Sequence, residues 1–331
     1  MTKPEELIYF MILSRMKGVG AVKFNQIIKK NKKLKISIIE FFTDFSKGLF
    51  ENYPFINESS RIGIKNYLSH WDEAKDMLLT LSDKDIKITT ILDPAYPEKL
   101  IEGLDLAAPP ILYSKGNLSL LNDPQIAVVG TRSPSKTGIT LTQRVSQLMA
   151  KEKITVTSGY AKGVDQIAHN SSLSAGGKTI LVLGYGIHHF SEAAIYFKKN
   201  IEDRRLVISE FYPSHPFHKG FLMTRNKTIC ALSDGILVVE SKSDGGSYHA
   251  GKYGLMLKKP TYTFSFEDFS TTSSGNRNLI EQGATDILVK PDGLDSLDTS
   301  LRDLIGLIRF SGKTNIRTGD FPLFDNVEGT K

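Results

Sequence analysis

The sequence predicts an α/β protein: a parallel sheet wrapped by helices, preceded by a small helical domain. Two observations carry this reading. From residue 126 onward, short apolar runs rich in branched residues alternate with helical stretches. Residues 5–80 instead repeat their apolar residues at helical spacing, as in LIYFMIL, FNQII and the set Trp71, Met77, Leu78 and Leu81. The length, 331 residues, accommodates two domains and a tail. The expected division is a helical domain over 1–90, an ordered connector over 91–125, the α/β domain over 126–290 and a tail over 291–331 too short for a confident winged helix.

The N-terminal stretch has an apolar centre, but Glu5 and Glu6 precede it and no small-residue cleavage site follows. It reads as a helix, not a signal peptide. Between the first two helices, Gly18 and Gly20 flank Val19 in a tight turn. This resembles a helix-hairpin-helix element, whose turn presents backbone N–H groups to a phosphate; a purely structural turn accounts for the same residues. Lys23, Lys29, Lys30, Lys32, Lys33 and Lys35 follow with no acidic residue among them. They form either a solvated helix end or a phosphate-facing patch.

The connector carries prolines at 94, 97, 109, 110 and 124, which rule out a long helix. Its apolar residues are expected to pack on a neighbouring domain. The strands then follow as IAVVG, ITVTSG, TILVLG, RLVIS, GILVVE, PTYTFSF and DILV, with helices near 137–151, 163–175, 225–233, 247–257 and 277–282. Runs apolar at every position suit strands buried on both faces, hence a parallel sheet with helices on either side. Ligands of such sheets gather at the C-terminal strand ends.

Those strand ends carry a repeated pattern. The first strand runs into Gly130-Thr131-Arg132-Ser133-Pro134-Ser135, the second into Ser158-Gly159-Tyr160-Ala161-Lys162-Gly163 and the third into Gly184-Tyr185-Gly186. GILVVE leads to Ser243-Asp244-Gly245-Gly246-Ser247. Glycine lets another group approach the backbone closely, and a helix N-terminus offers free N–H groups and partial positive charge. Together they make anion sites. Arg132, Lys162 and Arg225 are the cations placed beside them, so a row of phosphate pockets is expected.

Other chemistries find less support. No segment matches G-x-x-x-x-G-K-[ST], and no clean G-x-G-x-x-G follows the first strand. The single cysteine, Cys230, rules out an internal disulfide and a cysteine-rich metal site. Asp165 and His169 lie four apart on one helix face, either as an acid–base pair or in structural roles. His188, His189, His215 and His218 have poor geometry as joint metal ligands. Glu210 and Glu240 end strands, where they either orient Arg225 or are ordinary polar termini. The net charge of +6 leans toward an anionic partner. No apolar run reaches the roughly 18–20 residues of a membrane span, so a soluble cytoplasmic protein is expected.

VVGTRSPSKTG, SGYAKGVDQIAH, GGKTILVLGYGI, SEF, RNKTICALSDGILVVE and LIEQGA stand in the order and spacing of the DprA/Smf family of DNA-processing proteins. AYPEKL and APPILYSKGN resemble the family's preceding segment. The resemblance covers about residues 5–290. It implies an extended Rossmann-like fold behind a small helical SAM-like domain, and single-stranded DNA as ligand. It also implies a homodimer, protection of incoming DNA during natural transformation, and RecA as a candidate partner in recombination. It implies no catalytic reaction, cofactor, metal or membrane. Carried over by motif, Gly130, Thr131, Arg132 and Ser135 form a first phosphate loop, and Ser158, Gly159, Lys162 and Gly163 a second. Gly184 and Gly186 line the floor, Arg225 and Asn226 the rim, and Gly246 and Ser247 complete the pocket. Tyr160 and Tyr185 are candidates to stack on bases. The sequence departs from the family's pattern after Gly186, at Leu222-Met223 and after Ser247. Two alternatives share these features: a nucleotide-signal sensor of a defence system, and a LOG-type phosphoribohydrolase. The second lacks a catalytic glutamate in SDGGSYHAGKYG.

Overall fold

The computed structural model describes residues 2–191, 201–266, 273–289 and 301–311. Helix α1 (Pro4–Arg15) opens with proline in its first turn, and the Glu6 carboxylate accepts the Lys3 N–H. Its residues Ile8 to Leu13 are all buried, so it is the central helix of the first segment. Around it lie α2 (Ala21–Leu34), α3 (Ile38–Asp44), α4 (Glu58–Lys65) and α5 (Trp71–Asp83).

The chain then builds one nine-stranded sheet among the described residues. Its elements are β1 (Lys87–Thr90), α6 (Glu98–Leu104), β2 (Ile111–Gly116), β3 (Gln125–Val129), α7 (Lys136–Lys151), β4 (Thr155–Ser158), α8 (Val164–Ser174), β5 (Thr179–Val182) and β6 (Arg205–Ser209). They continue with α9 (Lys219–Leu232), β7 (Gly235–Val238), α10 (Gly246–Met256), β8 (Thr261–Ser265), α11 (Ser274–Glu281), β9 (Thr285–Leu288) and α12 (Arg302–Ser311). The strand order is β1-β2-β6-β5-β4-β3-β7-β8-β9. All seven predicted runs are strands and pair in parallel. The expected connector supplies β2, which joins β6 antiparallel and carries β1 on its outer edge. Periodicity missed both strands. Lys87–Thr90 is short and half exposed, and the prolines before Ile111 mask the start of β2.

Side-chain alternation sorts the sheet into two faces. Ala127, Val129, Ile180, Val182, Ile208 and Val238 point to the face covered by α6, α9 and α10. Their neighbours Ile126, Val128, Leu237 and Val239 point the other way, under α7, α8 and α12. On that same face, Leu181, Val207 and Tyr113 pack against the N-terminal helices. Helix α12 falls within the expected tail, of which residues 291–300 and 312–331 lie outside the described ones. Its Leu304 and Ile308 close over Gly235.

Helix α9 starts at Lys219, earlier than expected. The His218 ring accepts the Gly220 N–H and caps it, while Lys219 to Thr224 are largely solvent-facing and lack apolar periodicity. Arg225 therefore sits within a helix instead of at its start.

Candidate functional site

The chain lays down β3, β4, β5 and β6 in one direction, then returns to place β7 on the other side of β3. That reversal opens a crevice beyond the C-terminal ends of β3 and β7. A cavity of about 420 Å³ occupies it. Gly130, Thr131 and Arg132 line it from the loop after β3, Ala161 from the loop after β4, Asp165 from α8, Leu222, Arg225 and Asn226 from α9, Lys242 from the loop after β7, and Gly246 and Ser247 from the first turn of α10.

The loop after β3 is tied to β7. Thr131 N–H donates to the Glu240 carbonyl at 2.7 Å. The Glu240 carboxylate accepts the Ser135 N–H at 2.9 Å and the Ser135 hydroxyl, and Ser135 Oγ in turn accepts the Gly138 N–H at 3.0 Å, capping α7. Ser135 thus positions the loop and does not line the cavity. Glu240 orients this loop and not Arg225.

The second loop also differs from expectation. Ser158 is fully buried and donates to the Val128 carbonyl at 2.6 Å. Gly159 N–H and Ala161 N–H both donate to Asp165 Oδ2, at 3.2 and 3.3 Å. Gly163 has φ +91°, and a Cβ there would stand 2.5 Å from the Thr131 carbonyl oxygen, so this glycine lets the two loops touch. Lys162 is exposed and lies outside the cavity lining.

Arg225 is not at the rim. It is 4% exposed, its guanidinium lies on Gly159, and a Cβ at Gly159 would fall within that group. Its Nη1 is 3.6 Å from Asp165 Oδ2. Burial pulls the Arg225 pKa down and pushes that of Asp165 up, while each one's charge opposes the other's shift. The buried Nε–H of Arg225 has no hydrogen-bond partner among the described residues. Gly184 lies below, against Leu222 and Arg225. Gly186 packs on the Tyr212 and Pro213 carbonyls, away from the cavity, and is not part of its floor. Asn226 does reach the rim, where its Nδ2 donates to the Gly246 carbonyl at 3.0 Å. Ser247 Oγ meets Ser241 Oγ at 3.1 Å.

Asp165 and His169 do not form an acid–base pair. His169 Nδ1 contacts Thr179 Oγ1 at 2.6 Å, and that hydroxyl donates to the Val156 carbonyl. Nδ1 therefore carries the proton. Burial lowers the His169 pKa to about 3, so the ring is neutral. Neither tyrosine lines the cavity. Tyr160 packs edge-on to Phe190, and Tyr185 packs on the core shared with the N-terminal helices.

Lys242 is the cavity residue that spacing overlooked, although a cation two residues past Glu240 was its signal. The lining then holds three cations, Arg132, Arg225 and Lys242, against one carboxylate, Asp165. Such an arrangement takes an anion.

A family model described as DNA recombination-mediator protein A matches residues 87–298. The DNA processing protein DprA of Streptococcus pneumoniae is 33% identical over 222 residues, 66% of this chain and 77% of that protein. Protein Smf of Synechocystis is 29% identical over 302 residues, 88% and 73% of the two chains. The X-ray structure of S. pneumoniae DprA superposes with a TM-score of 0.70 at 26% identity, over 85% of this chain and 94% of that one. Helicobacter pylori DprA, described for its single-stranded DNA binding mode, shares the fold with a TM-score of 0.51 at 23% identity, over 65% and 95%.

Proposed function

The chain belongs to the DNA recombination-mediator protein A family, and from that premise we propose that its crevice between β3 and β7 grips the phosphate backbone of single-stranded DNA. One observation carries the reading. A buried arginine with an unused Nε–H sits on the floor of a cavity that two exposed cations flank. Such a donor, already desolvated and held on Gly159, gains more from an anion than an exposed lysine does. The similarity to DNA-processing proteins, and to a relative described as binding single strands, supports the same ligand.

The protein then acts by binding, without catalysis or cofactor, in protecting and processing incoming DNA during transformation or recombination. A homodimer, RecA as partner and a cytoplasmic location belong to the same reading. So do the division near residue 90 and the phosphate contacts of Gly130, Thr131 and Gly246. No helix among the described residues is long and apolar enough to cross a membrane.

The test is fluorescence anisotropy with a labelled single strand and its duplex at two salt concentrations. The single strand should bind more tightly, with a log–log salt slope of about 0.7 per phosphate neutralised. Arg132→Ala and Lys242→Ala should each weaken binding without changing the melting temperature, because both side chains are exposed. Unchanged affinity in both variants would defeat the assignment. The cavity's volume, about 420 Å³, also suits a mononucleotide. Stabilisation by a mononucleotide but not by an oligonucleotide would select the sensor reading instead.

A further inference from the structure

The glycine turn and the lysine-rich helix after it play no part in the crevice, yet they meet the same helix that lines it. Gly18 takes φ +79°, and the Ser60 hydroxyl donates to the Lys17 carbonyl at 3.0 Å to hold the turn. Helix α2 is pinned to the sheet side of the molecule. The buried Asn25 side chain donates to the Leu106 and Ala108 carbonyls at 2.9 and 2.8 Å. Between turn and α9 lies a second cavity of about 280 Å³, lined by Gly18, Gly20 and Lys23 on one side and by Thr224 and Lys227 on the other.

The two cavities share α9. Arg225 and Asn226 face the crevice, while Thr224 and Lys227 face the hairpin. They are therefore no further apart than the width of one helix, roughly 10 Å. Beyond Lys23, Phe24, Ile27, Ile28 and Asn31 face the core, which turns Gln26, Lys29, Lys30 and Lys33 outward as a stripe. Glu210 is the one carboxylate of the second cavity. It accepts the Thr228 hydroxyl at 2.6 Å, and burial raises its pKa to about 7, which reduces its repulsion of an anion.

We infer that the hairpin cavity is a second phosphate subsite, where Lys23 and Lys227 receive the DNA strand as it leaves the crevice across α9 and direct it along the α2 lysine stripe. This rests on the reading of the crevice as a single-strand site. It separates contacts that a short oligonucleotide makes from those that only a longer one reaches.

The experiment compares a six-nucleotide and a twenty-nucleotide single strand, on wild type, Arg132→Ala and the double variant Lys23→Ala/Lys227→Ala. Lys227 also stands 5.7 Å from the Tyr253 ring, so Lys23→Gln/Lys227→Gln runs in parallel to keep side-chain bulk. Both double variants should bind the six-nucleotide strand as wild type does. They should bind the twenty-nucleotide strand about 5- to 20-fold more weakly, with the log–log salt slope reduced by about 1.4, or 0.7 for each of two contacts. An unchanged long-strand affinity and slope overturns the second subsite, and so does an equal loss at both lengths. An Arg132→Ala variant that binds both strands like wild type overturns the crevice reading instead.

Discussion

Gly159→Ala tests whether the buried guanidinium is held where the crevice needs it. The backbone at Gly159 does not require positive φ, so the methyl's effect falls on Arg225, whose guanidinium occupies that space. To admit the methyl, Arg225 must leave a position where it is 4% exposed and 3.6 Å from an Asp165 that is 5% exposed. Removing one member of a buried ion pair costs about 3–5 kcal/mol. Here about 2–4 kcal/mol is expected, for two reasons. The 3.6 Å separation exceeds a hydrogen bond, and Asp165 keeps the Gly159 and Ala161 amides while burial already favours its protonated form. Urea unfolding by circular dichroism reads the loss, and anisotropy on the six-nucleotide strand should show weakening close to that of Arg225→Ala. The decisive measurement is the cycle. In an Arg225→Ala background nothing remains to displace, so adding Gly159→Ala should cost no more than about 0.5 kcal/mol. An equal cost in both backgrounds would refute the placement of the guanidinium on Gly159.

Three further outcomes follow from burial. His169 has its pKa lowered to about 3 in the fold, against about 6.5 when unfolded, so its contribution is intact above pH 6.5 and lost as pH falls toward 3. Wild type should lose about 2 kcal/mol more than His169→Gln between pH 8 and pH 5, read from urea midpoints. Glu210 runs the other way. Its folded pKa, raised to about 7 from 4.5, makes its contribution full below pH 4.5 and progressively lost up to pH 7. Glu210→Gln should therefore gain about 3 kcal/mol on wild type between pH 4.5 and pH 8. Leu304→Ala, in the fully buried face of α12 over Gly235, should cost about 2–5 kcal/mol in thermal or urea unfolding, showing that this helix belongs to the core.

Much of the fold was legible along the chain because its cause is local. A strand buried on both faces must be apolar at every position, so Ile126–Val129 and Gly235–Val238 announced themselves. The helical spacing of Ile8 to Leu13 likewise marked a helix, though not that it would be buried on every side. Short elements lacked such a signature. Lys87–Thr90 is a strand because β2 offers it a partner, and Lys219–Thr224 is helical because His218 caps it and the following turns are buried. At the site, the glycine loops, Arg132 and Asn226 were visible as types. Which polar groups remain free was not. Ser135 and Ser158 read as phosphate ligands until Glu240 and the Val128 carbonyl claimed their hydroxyls, and Gly159's amide went to Asp165.

By itself the sequence determined the parallel α/β core, the helical segment before it and the presence of glycine turns with cations at the strand ends. All of these depend on residues near one another in the chain. Only the tertiary structure decided that the return of the chain past β3 brings Lys242 beside Arg132, that Arg225 lies buried on Gly159, and that α9 separates the crevice from the hairpin. Hydrogen bonds and burial are shared among residues far apart in sequence, and spacing along the chain carries no record of which partner takes each one.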